Sequence, residues 1–360
     1  MNPSSLPSFF ERRAVVGLLT FLGAAYVFGI WVWSADTPTT SFNGDPRSKL
    51  SDIIYGTAHK PYVYRVLVPA LTRSAYYALS GPSLDTLELR LLRIPKVQKE
   101  TLRLGWERNF FIEYLLALSL AFLCLLGFAF TIRSLWSTVY DTEPRMSNLV
   151  PLVALLALPP LFPTGPHYIY DFPTLFLFTL GLTLLIKERW ALFYPVFLIG
   201  CLNKETMVLL TFLFLIFFRK RFPARALAAH TGVQLLIFGG IKLMLMNTFA
   251  ENAGNVLDFH LYLNLHILLM GYSLTTFIIA GLLLWLIFHD YASKPAALRQ
   301  SLTVAIPFGL LLFWGGVITE LRDVYELYPI VLLLSLHTVV FSLYKFPYAL
   351  KNVTAHHESV

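Results

Sequence analysis

Residues 190–218 read WALFYPVFLIGCLNKETMVLLTFLFLIFF, two apolar runs separated by the charged residues Lys204 and Glu205. At about 1.5 Å per helical residue, each run covers only about 20 Å of a hydrocarbon core that is about 30 Å thick. The break should therefore lie below the membrane surface, which is tolerated where protein or water lines a cavity. Asn203 is expected to cap the second helix, with Glu205 in its first turn, where negative charge is favoured. A plain turn with Lys204 and Glu205 facing water fits the same residues.

Similar apolar stretches run along the whole chain. The 360 residues are 56% hydrophobic and 14% charged, whereas about a quarter of the residues of a soluble domain are charged. This composition predicts an all-α polytopic membrane protein with about ten transmembrane helices in a single transmembrane domain, residues 1–360. It argues against nucleic-acid binding. The predicted spans, each free of Asp, Glu, Lys and Arg, lie within 14–35, 114–132, 146–170, 172–186, 190–203, 206–218, 226–241, 259–289, 300–319 and 327–344.

The basic residues predict an orientation. With the N-terminus in the cytoplasm, that side holds 14 of the 28 Lys and Arg residues, whereas the short outer loops hold only three, as the positive-inside rule requires. Both termini are then cytoplasmic, in a bacterial inner membrane, and residues 36–108 form a long non-cytoplasmic loop. A competing topology, with a span at Tyr62–Ser80, inverts every later loop and is rejected. Tyr62–Ser80 is expected at the outer interface, with Arg65 and Arg73 reaching lipid headgroups. Leu84–Leu104 is expected to be an amphipathic surface helix kinked at Pro95.

Charged residues that interrupt the apolar segments collect on the non-cytoplasmic side. Besides Lys204 and Glu205, they include Asp171 in His167-Tyr-Ile-Tyr-Asp-Phe-Pro173, where a helix is expected to start. An ionisable side chain at membrane depth is costly and usually faces a functional cavity. Asp171 can also be explained as a helix-terminal carboxylate that complements the helix dipole. His167 alone is weak evidence of a site.

A third segment, Glu320-Leu-Arg322-Asp323, precedes the last predicted span. A guanidinium group matches phosphate with two parallel hydrogen bonds, so Arg322 is a candidate for gripping an anionic headgroup. The alternative is an i,i+4 ion pair between Arg322 and Glu326 on one helix.

The long outer loop contains two candidates for a general base, Asp36 and Asp45. Asp36 directly follows the first span, and Asp45 lies in Phe42-Asn-Gly-Asp-Pro46. A general base must reach the proton that it abstracts, whereas Asn-Gly-Asp-Pro is also a strong turn signal. The sequence does not choose between the two aspartates.

This pattern resembles the GT-C superfamily of multi-pass glycosyltransferases, which use sugars linked to polyprenyl phosphate. The shared features are a first span, a long outer loop with an early acidic residue, amphipathic segments in that loop, and eight or more further spans. Tyr170-Asp-Phe-Pro173, Asn203-Lys-Glu-Thr206 and Glu320-Leu-Arg322 also look like recurring elements of bacterial proteins with this layout. The chain lacks the acidic pair that many members carry after the first span, and their soluble C-terminal domain.

The resemblance implies sugar transfer from a polyprenyl-phosphate donor to a glycan, lipid or protein acceptor outside the cytoplasm. Asp36 or Asp45 is the expected base. Arg322, Lys204 and Arg65 are expected to hold the donor phosphate, and Glu205, Asp171 and Glu320 to orient them or bind sugar hydroxyls, with His167 nearby. The spacing of the potential metal-ligating residues does not indicate a particular metal, although a divalent ion is compatible with the carboxylates. The alternatives are a lipid or solute transporter or flippase, and a non-catalytic subunit of a cell-envelope assembly.

Overall fold

The structure is a computed structural model that describes residues 13–35, 40–345 and 348–351; the side chains of 13, 163 and 164 lie outside the description. Asp36 also lies outside the described residues. Almost all regular structure in these ranges is helical, which confirms the all-α class. In the described ranges, strands are limited to one antiparallel pair, β1 (Tyr140–Asp141) and β2 (Ala349–Leu350), in which Tyr140 faces Leu350.

Sixteen α-helices follow one another within the described ranges. They are α1 (Arg13–Ser34), α2 (Leu50–Tyr55), α3 (Leu67–Leu79), α4 (Pro82–Leu92), α5 (Pro95–Arg103), α6 (Phe111–Val139), α7 (Pro144–Leu156), α8 (Asp171–Ile186), α9 (Trp190–Asn203), α10 (Leu209–Phe218), α11 (Ala224–Thr248), α12 (Leu261–His266), α13 (Leu274–Phe288), α14 (Ala296–Leu302), α15 (Ala305–Gly315) and α16 (Tyr328–His337). Short 3-10 turns lie at Pro46–Ser48, Tyr62–Tyr64, Arg108–Phe110, Pro159–Thr164, Glu205–Val208, Tyr291–Ser293 and Leu321–Val324, and π turns at Ile267–Gly271 and Thr338–Leu343.

Helix α8 forms the centre of the bundle. It packs against α6, α9 and α10, and 14 of its 16 residues are buried. A helix that is apolar on every face suits such a central position. Its threonine hydroxyls donate to carbonyls one turn earlier, Thr174 to Tyr170 at 2.7 Å and Thr179 to Leu175 at 2.6 Å. Each hydroxyl donor is therefore hydrogen-bonded within its own helix and can be buried without being left unpaired.

The peripheral helices expose apolar side chains instead of burying them. Only Gln234 and Leu245 of α11 are buried, and only Ile287 of α13. Leucine, isoleucine and phenylalanine side chains form most of the outer surface of α13. In water such a surface would be strongly unfavourable, whereas in lipid it is the expected outer face of a helical bundle.

Five described helical segments are long and apolar enough to cross a membrane. A sixth crossing is possible if Leu261–Gly271 and Leu274–Phe288 act together, although they meet at an angle of 102°. Shorter apolar helices occupy the remaining predicted spans, at Asp171–Ile186, Trp190–Asn203, Glu205–Phe218 and Tyr328–Leu343. The five long segments are Ala14–Ser34, Arg108–Val139, Pro144–Phe162, Ala224–Thr248 and Ala296–Gly315.

The segment predicted as a long outer loop contains α2 to α5. Helices α4 and α5 meet at Arg93-Ile94, so the predicted interruption at Pro95 is a complete break between two helices. Helix α3 is 13 residues long and packs against α2, α6 and α9. The expectation that Arg65 reaches lipid headgroups is wrong, because Arg65 is buried. Arg73 is half-buried and donates to the carbonyl of Ile54, and its contact with headgroups stays a prediction.

The interhelical loops gather at two opposite ends of the bundle. One end, here called the charged end, contains the segments around 41–66, 167–171, 203–206, 251–260 and 316–326. The other, here called the basic end, contains the loops at 133–145, 187–189, 219–225, 289–300 and 348–351. Contacts between loops hold the basic end together: Arg221 pairs with Glu188 at 2.6 Å, and Lys187 donates to Ser134 at 2.8 Å.

At the charged end, the loop that contains Gly254 is hydrogen-bonded to residues 56–60. The amide of Asn252 donates to the carbonyls of Gly56 and Ala58, each at 2.9 Å, and Lys60 N donates to the Ala253 carbonyl at 2.8 Å. Gly254 follows with φ +90°, and a Cβ atom there would lie 2.6 Å from the Lys60 carbonyl oxygen. A side chain is therefore excluded both by the backbone conformation and by backbone contact.

Gly254→Ala should lower the free energy of unfolding by about 1–3 kcal/mol, the usual cost of a strained backbone position. Thermal unfolding of the detergent-solubilised protein, followed by tryptophan fluorescence, would show a lower Tm. The matched control is Gly232→Ala in α11, where a Cβ meets no heavy atom within 4 Å and helix propensity favours alanine. A variant Gly254→Ala as stable as the control would contradict the described loop contact.

Candidate functional site

Six of the predicted site residues meet at the charged end, although they are far apart in the sequence. Arg65 follows a 3-10 turn and precedes α3, and Asp171 is the first residue of α8. Lys204 and Glu205 lie at the break between α9 and α10, and Glu320 and Arg322 lie in the turn before α16. The three cations Arg65, Lys204 and Arg322 are here called the cation cluster.

Arg322 is held by carboxylates on two segments. Its Nη1 lies 3.7 Å from Asp171 Oδ1 and 3.4 Å from Asp323 Oδ1, and its Nη2 donates to Glu320. The guanidinium stacks over Tyr168, 4.3 Å from the ring centroid. Its Nε is buried and has no hydrogen-bond partner. Arg322 therefore lies among three carboxylates that neutralise much of its charge, and its Nε is enclosed by protein without a bond.

Arg65 has a similar environment. It donates to the Tyr170 hydroxyl, its Nη2 lies 3.7 Å from Glu205 Oε1, and its guanidinium lies 4.2 Å from the Tyr170 ring centroid. Its Nε is also buried without a hydrogen-bond partner. Two arginines thus each keep an unpaired Nε inside the described protein, which is costly to stability.

Lys204 is the third member of the cation cluster, and its partners show whether Glu326 pairs with Arg322. Its Nζ lies 3.2 Å from Glu326 Oε1 and 3.9 Å from Asp323 Oδ1, and Thr206 also donates to Glu326. Glu326 thus pairs with the distant Lys204, whereas Arg322 pairs with Asp171, Glu320 and Asp323. The alternative of an i,i+4 pair between Arg322 and Glu326 is wrong, because Leu321–Val324 is a 3-10 turn and the regular helix begins only at Tyr328.

The expected capping role of Asn203 is also wrong. Asn203 is the last residue of α9, and the N-cap position of the following turn is occupied by Lys204, whose side chain makes no capping hydrogen bond. The Asn203 amide instead donates to the Tyr170 carbonyl at 3.1 Å and to Thr174 Oγ1 at 2.8 Å. It therefore ties the break between α9 and α10 to the beginning of α8. Glu205 does lie in the first turn after the break, as expected.

The cation cluster opens into a cavity of about 220 Å³. One side of the cavity is polar and the other is formed by α15, where Leu311 is 54% exposed on the outside of the bundle. A ligand there would meet charges on one side and apolar side chains on the other. The charged and polar lining residues are Arg65, Lys204, Glu205, Thr206, Asp258, His260, Glu320, Arg322 and Asp323.

Three tyrosines form a stacked wall behind the cations. The Tyr62 and Tyr168 rings are 5.6 Å apart, and the Tyr168 and Tyr170 rings are 4.9 Å apart with nearly parallel planes. Each arginine of the cluster lies over one of these rings, which adds a cation–π attraction. The wall fixes both guanidinium groups, so their positions do not depend on a bound ligand.

Asp45, a predicted base, lies beside the cavity. Its carboxylate accepts from the Arg47 side chain at 2.8 Å and from the Arg47 backbone N–H at 2.9 Å, and from the Tyr62 hydroxyl at 3.4 Å. Burial raises the pKa of Asp45, but the bonds from Arg47 more than offset this, so its pKa is lowered. Asp45 therefore also fulfils the turn role that Asn-Gly-Asp-Pro suggests.

The acidic residues around Arg322 differ in proton affinity. Burial raises the pKa of Glu320, and Arg322 offsets only part of that rise. At Asp323 the effect of burial is outweighed by the charges of Arg322 and Lys204, so its pKa is lowered. Within the cavity, Glu320 is therefore the better proton acceptor and Asp323 the more permanent anion.

His167 lies behind the cluster and links it to the end of α1. Its side chain is buried, and its Nε2 lies 3.0 Å from Ser34 Oγ, while Nδ1 has no hydrogen-bond partner. Burial lowers the pKa of His167 from 6.5 to about 4, and the charge of Arg322 also contributes. His167 is therefore neutral at pH 7 and supports the site from behind.

The neutral His167 predicts a pH dependence of stability. Between pH 6.5 and about 4 the unfolded chain binds a proton at this residue and the folded protein does not, so stability falls as the pH falls. The full effect is up to about 3 kcal/mol. Measured from pH 7.5 to 5, Tm should fall less steeply in His167→Gln than in the wild type. His266→Gln, at an exposed position, should keep the wild-type slope. An equal slope in all three proteins would contradict the neutral buried imidazole.

Several residues of the site were not among the predicted ones. Asp323 directly follows Arg322 and Glu326 lies four residues after it, and their charge inside a short inter-span loop is a usable signal. Tyr168 and Tyr170 alternate in the segment before Asp171, which is typical of a non-helical stretch with both rings on one side. Asp258 and His260 gave no comparable signal.

The carboxylates of the site do not fit a metal ion. In the described residues, no group of three or more His, Cys, Asp or Glu side chains is arranged to hold one. Asp171, Glu320 and Asp323 already face Arg322, so positive charge is supplied by the protein. Cys124 and Cys201 are free thiols.

Comparison of this chain with protein-family models, with curated proteins and with solved structures found no match.

Proposed function

We propose that the protein is a membrane glycosyltransferase that moves a sugar from a polyprenyl-phosphate donor to an acceptor on the non-cytoplasmic face. The supporting observation is the cation cluster at a cavity that has a charged wall and an apolar, outward-facing wall at α15. A lipid-linked phosphate combines an anionic group with a long apolar chain, so this cavity suits it better than a fully soluble ligand.

The proposal includes a membrane topology. The five long helices, the bent pair and the four shorter apolar helices would give ten crossings in an inner membrane. The basic end would face the cytoplasm, with both termini, and the charged end would face outward. Helices α9 and α10 are each shorter than a full crossing, but the residues between them line the cavity. Backbone groups left free there can bond to polar partners, so short helices are tolerated.

The transfer step assigns roles to the cavity. The bond between the sugar anomeric carbon and the phosphate oxygen breaks, and its electron pair leaves with the polyprenyl phosphate. Arg65, Lys204 and Arg322 stabilise that leaving charge, the usual electrostatic contribution to catalysis. The acceptor hydroxyl oxygen bonds to the anomeric carbon and gives its proton to a carboxylate. Glu205 and Asp171 hold the cations in position.

The carboxylate that takes the proton is proposed to be Asp36, Asp45 or Glu320. Asp36 follows α1, whose Ser34 contacts His167 at the charged end. Asp45 is connected to the cavity through Tyr62, but the bonds from Arg47 weaken it as a base. Glu320 lines the cavity and has the raised pKa that favours proton uptake. Its contact with Arg322 would have to loosen as the donor phosphate takes over that guanidinium.

The test is sugar transfer by the purified protein in lipid nanodiscs, with radiolabelled polyprenyl-phosphate sugars and membrane extract as the source of acceptor. Release of polyprenyl phosphate with label in a new product supports the proposal. Asp36→Asn, Asp45→Asn and Glu320→Gln should identify the base, since one of them should remove most activity. Full activity in all three variants would remove the base assignment. Absence of transfer with every donor class would contradict the proposed function.

The broken helices also favour a second candidate, a lipid flippase. Helices interrupted near mid-membrane occur in transporters, and the 102° bend between Leu261–Gly271 and Leu274–Phe288 would be such an interruption if the pair forms one crossing. Movement of fluorescent polyprenyl phosphate across proteoliposomes, without cleavage of any sugar, would favour this candidate over the transferase.

A further inference from the structure

A second cavity, of about 200 Å³, lies at the basic end. Parts of α6, α8, α10 and α14 and the strand β2 surround it. Four cationic side chains line it, and none of its described lining residues is acidic. The cations are Arg221, Lys294, Arg299 and Lys351.

Two of these cations have acidic partners outside the cavity. Arg221 pairs with Glu188 at 2.6 Å, and Lys351 lies 4.0 Å from Asp141 and donates to the Ser137 carbonyl at 3.0 Å. Both carboxylates stand behind the cations and position them from outside. The cavity itself therefore faces positive charge only.

Lys294 contributes a charge that has no carboxylate partner. Its Nζ is fully buried and donates to neutral oxygens: the carbonyls of Leu286 and Ile287, each at 2.7 Å, the Leu334 carbonyl at 2.9 Å, and Thr338 Oγ1 at 2.8 Å. Burial lowers the pKa of Lys294 to about 8, so the ammonium remains mostly charged at pH 7. These oxygens fix the charge beside the cavity, and Asp290 acts on it only from beyond ion-pair distance.

Arg299 is the side chain best placed to bind an anion directly. Its guanidinium lies 5.9 Å from the Tyr291 ring centroid, and its Nε is buried with no hydrogen-bond partner. No carboxylate of the described residues lies within ion-pair distance of it. Arg299 is half-buried and lines the cavity, so an anion there can supply the acceptor that its guanidinium lacks.

We propose that this cavity binds the phosphate headgroup of an anionic membrane lipid, gripped by Arg299 and Arg221 in the field of Lys294 and Lys351. A phosphate offers the acceptor oxygens that the guanidinium groups lack, and its charge offsets the excess of cations. Basic pockets between transmembrane helices at the cytoplasmic surface suit such headgroups. The proposal does not depend on sugar transfer, so either can fail while the other stands.

The test compares three probes on the full-length protein. Native mass spectrometry and thermal unfolding would be measured in nanodiscs of phosphatidylcholine, in the same nanodiscs with phosphatidylglycerol, and in phosphatidylcholine nanodiscs with inorganic phosphate. Retained phosphatidylglycerol with a raised Tm supports the lipid site. Stabilisation by inorganic phosphate alone would overturn the lipid assignment, and no effect of either anion would overturn the site.

The variant Arg299→Gln should weaken phosphatidylglycerol retention about tenfold or more, because hydrogen bonds to a charged group are lost. Arg299→Lys retains the charge, so it should fall between the wild type and Arg299→Gln. Lys220→Gln is the matched control: it removes one positive charge from an exposed position of the same end. If Arg299→Gln and Lys220→Gln weaken retention equally, the effect is general surface electrostatics, and the proposed cavity is overturned.

Discussion

Replacing Lys204 with Met is expected to lower the free energy of unfolding by about 3–5 kcal/mol, the usual cost of breaking a buried ion pair. Lys204 Nζ lies 3.2 Å from the fully buried Glu326. Methionine keeps the apolar stem but removes the ammonium, so the carboxylate is left inside the protein without its cation. Denaturant or thermal unfolding in detergent measures the loss.

The double variant Lys204→Met/Glu326→Leu should recover most of that loss. Replacing both members of a buried ion pair by apolar residues is often neutral or stabilising, because neither charge has to be taken out of water. Lys49→Met, at an exposed position, is the matched control and should stay within about 0.5 kcal/mol of the wild type. Equal loss of stability in the single and double variants would show that the ion pair does not account for the effect.

The second large effect is expected at Arg322. If the cation cluster stabilises a leaving phosphate, Arg322→Gln should lower the transfer rate about 10²–10³-fold, the range for removing one preorganised group that stabilises developing charge. Arg322→Lys should also lose activity, because lysine retains the charge but lacks the planar fork that matches phosphate and stacks on Tyr168. The measurement is kcat with a saturating polyprenyl-phosphate sugar.

Stability must be separated from catalysis in this experiment. Arg322→Gln leaves Asp171 and Asp323 with less positive charge, so its Tm is measured with its rate. Arg322→Lys, which preserves the charge, serves as the folded comparison. Arg93→Gln removes an exposed arginine between α4 and α5 and should keep the wild-type rate. A wild-type rate in folded Arg322→Gln would contradict the proposed role of the cluster.

The sequence predicted which charges meet, but not how they pair. Asp171, Lys204, Glu205, Glu320 and Arg322 were assigned to one site because charges that interrupt apolar runs on the same side share one small surface. Which carboxylate pairs with which cation depends on the backbone conformation where the helices are interrupted. The 3-10 turn at Leu321–Val324 changes the helical spacing, and so Glu326 reaches Lys204.

Other parts of the site depend on contacts that no local pattern reveals. Arg65 is expected both at the headgroup surface and as a phosphate ligand, and its contacts with Tyr170 and Glu205 place it in the cavity. Asp258 and His260 reach the cavity because Asn252 and Gly254 fasten their loop to residues 56–60. Such pairings across about 200 positions are set by tertiary packing and not by local propensity.

The fold was more predictable than the site, because hydrophobicity alone decides which segments are helical in lipid. All ten predicted apolar stretches contain helix. Their lengths were less predictable: α7 ends at Leu156 ahead of a proline-rich turn, and the stretch 259–289 divides at Tyr272-Ser273. Local breaks of this kind arise where polar groups inside the bundle can satisfy the freed backbone.

The most direct test of the central claim is a structure determined by electron cryomicroscopy with polyprenyl phosphate added in nanodiscs. The account predicts phosphate density within hydrogen-bond distance of the Arg322 and Arg65 guanidinium groups, with the lipid chain leaving the cavity along α15 beside Leu311. An occupied cavity with the phosphate elsewhere, or unchanged side-chain pairs and an empty cavity at saturating lipid, would contradict it.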